Sequence, residues 1–172
     1  MQFQESRRAG IRHKRVVLLL ITLCLAGCAY SLKIPPHLAD QLDPTIEFRQ
    51  IQADPSGYAG KLVALGGQIL ILEEQEEGTL MELLQLPINS SGVPETDAAL
   101  SQGRFMLMEA HRLDPVIYQR GRMITVVGEV TGKKIEPIDR STQGAYPFLS
   151  ARFIHLWPRV QYYPNNTRYN CS

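Results

Sequence analysis

The chain has 172 residues, of which 44% are hydrophobic, with 18 Lys+Arg against 17 Asp+Glu for a formal net charge of +1. That length suits a single domain around a single core. Beyond residue 27 the charge is dispersed, with no basic footprint, which argues against nucleic acid as a partner.

The N-terminus is the most informative stretch. Arg7, Arg8, Arg12, Lys14 and Arg15 form a basic flank with no acid between them, and residues 16–26 are apolar apart from Thr22. A helix over that run is about 16 Å long, whereas a bilayer core is about 30 Å thick, so the run is too short to span. A basic flank, a short apolar run and small residues form the layout of a secretory signal. Leu25-Ala26-Gly27-Cys28 resembles the lipobox of bacterial lipoproteins, with cleavage between Gly27 and Cys28. The bland alternative is a buried apolar segment that happens to contain a cysteine. The lipobox resemblance implies that Cys28 opens the mature chain, its sulfur carrying a diacylglyceryl thioether and its freed amine acylated. One acyl chain holds a protein only weakly, at about 0.8 kcal/mol per buried methylene, and stable anchoring takes two signals. Three chains on one residue exceed that threshold without any transmembrane helix. Ala29, in place of an Asp after the cysteine, implies the outer rather than the inner membrane.

Cleavage removes five basic residues and one acid, leaving 145 residues with 13 basic against 16 acidic groups, about −3. Cys24 leaves with the signal and Cys28 is consumed by lipid. Cys171 is then a lone thiol on a C-terminal tail, no intramolecular disulfide can form, and stability must come from packing.

Along the mature chain, residues 28–42 read as a lipidated tether, with Pro35-Pro36 favouring extended structure and a fully extended reach of about 45 Å. Asp43 and Pro44 resemble an N-cap and a first helical position, predicting a short helix that ends near Asp54-Pro55. Strands are predicted from Lys61 through Glu74, over 79–88, 104–111 and 123–134, and over 147–157. Gly66-Gly67 and Gly128 are placed for bends. The acidic segment 73–79 reads as a solvated hairpin tip rather than a calcium loop. Residues 89–103 form a loop long enough to hint at function. In the last strand, strict alternation sets Phe148, Ser150, Arg152, Ile154 and Leu156 on one face, with Leu149, Ala151, Phe153, His155 and Trp157 on the other. The expected fold is mainly β: a five- to six-stranded antiparallel barrel, OB-like, with a short N-terminal helix. A β-sandwich is the rival.

Taken with the lipobox, the segments DPSGYAGKLVALGGQI (54–69), QGRF (102–105), LDPVIYQRGRMITVVGEVTG (113–132) and YPFLSARFIHLW (146–157) resemble the Slp family. These are starvation-inducible outer membrane lipoproteins of Gram-negative bacteria. The resemblance covers residues 16–158 and implies a domain over 43–158, with 159–172 as a variable tail. It also implies attachment to the outer membrane and a role tied to starvation or stress, and it brings no catalytic residues.

The chain carries candidate binding groups rather than a reaction centre. His37, His111 and His155 are isolated and lack metal-ligand spacing, and no phosphate loop or nucleophile elbow is present. Asp54 and Asp114 each precede proline and read as turn openers rather than an acid–base pair. Arg104, Arg112, Arg120 and Arg122 could meet anionic headgroups or glycans, or simply pair with surface acids. Tyr58, Tyr118, Tyr146 and Trp157 could stack sugars, or simply pack. The candidate ligand surface is therefore Arg104, Arg120, Arg122, Tyr118, Tyr146 and Trp157, with no metal and no cofactor. The expected function is a non-enzymatic lipid-anchored envelope protein, whose partners are membrane lipid through Cys28 and an envelope glycan or protein. The alternative is a periplasm-facing OB-like module for a glycan, peptide or small ligand.

Overall fold

A computed structural model describes residues 32–137 and 143–159. Two short helices, α1 (Pro36–Ala39) and α2 (Phe48–Ala53), precede five strands: β1 (Leu62–Gln75), β2 (Gly78–Leu86), β3 (Arg104–Glu109), β4 (Met123–Pro137) and β5 (Gln143–Leu156). The strands close a barrel in the order β1-β2-β3-β5-β4, with β4 returning to β1. This bears out the mainly β, barrel-type expectation at five strands and excludes the sandwich.

One seam departs from the all-antiparallel expectation. β3 runs parallel to β5, with Met106, Leu107 and Met108 opposite Phe148, Leu149 and Ser150. The other four seams are antiparallel.

Alternate residues of each strand fill the barrel. Val63, Leu65 and Ile69 meet Met81 and Leu83, Phe105 and Leu107, Ile124, Val126 and Val130, and Leu149. Each such side chain withdrawn from water contributes about 1.5–3 kcal/mol. Three register shifts interrupt the ladders, one between β1 and β2 and two between β4 and β5. In β1 the shift falls between Ile69 and Ile71, so Leu72 packs on the core and Ile71 stands 46% exposed. The expected bend at Gly66-Gly67 is therefore displaced by several residues. Gly66 has a different reason to lack a side chain: a Cβ there would lie 2.6 Å from the Leu86 carbonyl and 2.7 Å from Ile88 Cγ2. In the β4–β5 ladder Val127 pairs with Phe153 and Gly128 with Ala151, so Arg152 is the extra residue. That bulge reverses the strict alternation expected of β5. Leu149 and Ala151 face inward before it, and Ile154 and Leu156 pack against the core after it.

Two N-terminal expectations are corrected. The helix begins at Phe48, not Pro44, and Gln50 Oε1 accepts from the Glu47 N–H at 2.7 Å across its first turn. Asp43 instead closes a local turn by accepting from Thr45 N at 3.0 Å and from Thr45 Oγ1 at 2.6 Å. In the described part of the expected tether, Pro36 starts the one-turn helix α1, a position where a proline's missing N–H costs nothing. Leu32 is pinned to the barrel, its N–H donating to the Ser91 carbonyl at 2.9 Å. α2 sits across the β3 end of the barrel, where Phe48 and Ile51 are buried and the Phe48 ring tilts against Phe105 at 5.9 Å.

Candidate functional site: an arginine cleft at the turn before β4

The turn joining β3 to β4 is fixed by its own backbone and by β1. Asp114 Oδ1 accepts from Val116 N at 2.8 Å, and Asp54 Oδ1 accepts from Gly57 N at 3.0 Å in an equivalent role. Both aspartates thus open turns, as their Asp-Pro context predicts. Gly121 N donates to the Ile69 carbonyl at 2.7 Å, and Ile69 N to the Arg122 carbonyl at 2.9 Å. Gly121 has φ +85°, a conformation that glycine adopts without strain.

This turn, β1 and the residues after β5 enclose a cleft of about 400 Å³. Arg120, Arg122 and Arg159 line it together with Gln68, Gln119 and Thr96, and no acidic residue lies among the described residues of its wall. Arg122 is held rigidly: Nη1 donates to the Ile117 carbonyl at 3.0 Å and Nη2 to the Trp157 carbonyl at 2.8 Å. Its Nε is buried without a hydrogen-bond partner among the described residues. Arg159 donates to Gln119 Oε1. Guanidinium groups stay protonated at any physiological pH and present forked donors that fit phosphate and carboxylate. The donors lining the cleft are of the kind that suit an anion.

The structure brings together only part of the expected ligand surface. Arg120 and Arg122 enter the cleft. Arg104 is spent on Glu82 at 2.7 Å, and Arg112 pairs with Glu74. Tyr58 and Tyr118 pack against the core. Tyr146 is half-buried opposite Lys134, far along the β4–β5 ladder. Trp157 is 6% exposed, stacks edge-on against His155 at 4.5 Å, and donates from Nε1 to Thr125 Oγ1 at 2.9 Å. Sequence reasoning missed Arg159, Gln119, Gln68 and Thr96, because no spacing rule links positions 68, 96, 119 and 159. Cys28, Gly27 and Cys171 lie outside the described residues.

The long 89–103 loop supports the site. Its first part folds back on itself, with Ile88 bridging Pro94, and lies over β1 and β4. Thr125 Oγ1 donates to the Gly92 carbonyl at 2.6 Å, and Thr96 reaches the cleft wall.

The family model for the outer membrane lipoprotein Slp family matches residues 25–172. The chain belongs to the outer membrane lipoprotein Slp family. The Slp match begins at Leu25, the first residue of the lipobox-like tetrad, and it includes 159–172, the segment expected to fall outside the shared pattern. The chain is 28% identical to Outer membrane protein Slp of Escherichia coli (strain K12) over 161 residues, covering 91% of this chain and 80% of that protein. It is 30% identical to the uncharacterized lipoprotein YeaY of the same organism over 111 residues, covering 64% of this chain and 55% of YeaY. The cleft residues Gln68, Arg120, Arg122 and Arg159 all fall within the Slp family match.

Proposed function

We propose that this protein is held at the outer membrane by acyl chains on Cys28 and acts there without catalysis, in the envelope's response to starvation or other stress. One observation carries the anchor: Leu25-Ala26-Gly27-Cys28 follows a basic flank and a short apolar run, in a chain whose family is described as outer membrane lipoproteins. Palmitate labelling in cells tests it. Label should enter the protein, and blocking the lipoprotein signal peptidase with globomycin should leave a larger precursor. A Cys28→Ala chain that still takes label, or a size unchanged by globomycin, defeats the anchor. The stress role predicts that the protein accumulates as cultures enter stationary phase; constant abundance through growth and starvation would refute it.

A second reading, the barrel as a ligand-holding module, is favoured by the cleft. Its arginine, amide and hydroxyl groups hold an anion, and none of them accepts a proton at neutral pH. The strand order, with β1 paired to both β2 and β4, supports the OB-like description, a five-stranded barrel whose surface takes up ligands. The ligand is then an anionic glycan, peptide or small molecule. Thermal shift of the purified chain against phosphorylated sugars tests this, and an unchanged melting temperature across such a panel argues against the module.

A further inference from the structure

The turn that builds the arginine cleft also holds two apolar side chains in solvent, Val116 at 70% exposure and Ile117 at 49%. They sit among cations. Arg122 grips the Ile117 carbonyl, Arg120 lies three residues further on, and Arg159 completes the same wall. The acid of this turn is Asp114, whose Oδ1 accepts from Val116 N. The acidic tip of the β1–β2 hairpin starts at Glu73, about 16 Å along the strand from Gln68, and meets the other end of the turn, where Arg112 pairs with Glu74. Apolar side chains framed by arginines match a bilayer interface, where the apolar groups enter the headgroup boundary and the guanidinium groups meet phosphate.

The position of the anchor decides which occupant the patch faces. Leu32 is bonded to Ser91, and a Cβ on the next residue, Gly92, would lie 2.7 Å from the Leu32 side chain. From there a chain of contacts runs to the cleft: the Gly92 carbonyl accepts from Thr125, Thr125 accepts from Trp157 Nε1, and the Trp157 carbonyl accepts from Arg122. The exit of the chain toward its N-terminus and the arginine cleft are therefore rigid neighbours on one side of the barrel. The four residue steps from Leu32 back to Cys28 span at most about 14 Å. We propose that the Arg120–Arg122–Arg159 cleft and the Val116–Ile117 turn form a second membrane contact that takes the phosphates of net-anionic phospholipid headgroups beside the acyl anchor. This rests on acylation at Cys28, which the test reads separately.

The test uses acylated protein purified from membranes as a Cys171→Ser, Val116→Cys form, with an environment-sensitive fluorophore on the new thiol. It is reconstituted into vesicles of phosphatidylcholine alone, or with roughly a third phosphatidylglycerol. The label should shift to the blue and resist aqueous quenching only in the anionic vesicles. High salt should reverse the shift, and Arg120→Ala or Arg159→Ala should each lower the docked-to-undocked ratio about fivefold. Inorganic phosphate at matched ionic strength should leave the shift in place; its loss there would make free phosphate the ligand and overturn the membrane contact. A shift equal in both vesicle types, or unaltered by the arginine substitutions, also overturns it. So does a shift in phosphatidylcholine that grows with protein density, which would mark a second copy of the chain. Flotation with phosphatidylcholine vesicles reads the acyl anchor alone, so its failure strikes the lipidation and leaves the label's answer intact.

Discussion

At the scale of single residues, Thr125 shows how one hydroxyl ties three segments together. It donates to the Gly92 carbonyl and accepts from Trp157 Nε1 while fully buried. A valine there keeps the shape but leaves the buried Trp157 Nε1 and the half-buried Gly92 carbonyl without this partner, which costs about 1–3 kcal/mol. Urea unfolding of Thr125→Val, followed at Trp157, the single tryptophan, should show that loss and a loosened indole environment. Asp43 supplies a pH-dependent contribution. Its carboxyl is held below its ordinary pKa of 3.8 chiefly by the Thr45 hydroxyl, then by the Thr45 N–H, with Lys61 a lesser attraction. A lowered folded-state pKa means the unfolded chain binds the proton more readily. The stabilisation is therefore complete above the ordinary value and disappears as pH falls through the lowered one. The stability difference between wild type and Asp43→Ala should be present at neutral pH and close in acid below pH 3.8, measured by denaturant titration at each pH.

At the scale of elements, α2 is only six residues long, too short to persist alone, and it holds because Phe48 and Ile51 complete the barrel core. Ile51 is fully buried, so Ile51→Ala should cost about 2–5 kcal/mol in equilibrium unfolding. Far-ultraviolet circular dichroism should still report the strands. β5 shows where pattern reading stops. Its alternation is legible up to Ala151, then Arg152 is passed over in the ladder and pairs with Glu129 at 2.6 Å. The outer face thereby receives Phe153, His155 and Trp157. Nothing local in PFLSARFIHLW marks that slip, which falls opposite the Val127–Gly128 step of the partner strand. Trp157 is consequently covered by the loop before Thr96 rather than offered to a ligand.

For the whole molecule, barrel closure rests unevenly on its seams. β3 meets β5 only from Met106 to Met108, whereas β4 and β5 pair from Ile124 to Pro137. The short parallel seam is the place to open first, since local stability follows the density of hydrogen bonds and contacts. Native-state hydrogen exchange should find the β3 amides facing β5 exchanging through a lower-energy opening than those of the β1–β2 and β1–β4 ladders. Uniform protection around the barrel would contradict this.

The sequence alone determined the strands, the mainly β class and the family, because period-two burial and turn chemistry act over a few residues and survive without knowledge of neighbours, whereas closure of the barrel came from the structure. It also determined the lipobox-like tetrad, whose chemistry is read residue by residue along the chain. Tertiary structure decided the rest. It placed β3 parallel to β5, buried Trp157 on the outer face of the barrel, spent Arg104 and Arg112 on acids, and gathered Arg120, Arg122 and Arg159 into one wall. Those outcomes depend on strand register and on the loop folded over Gly66. They join positions tens of residues apart, where no local pattern carries a signal.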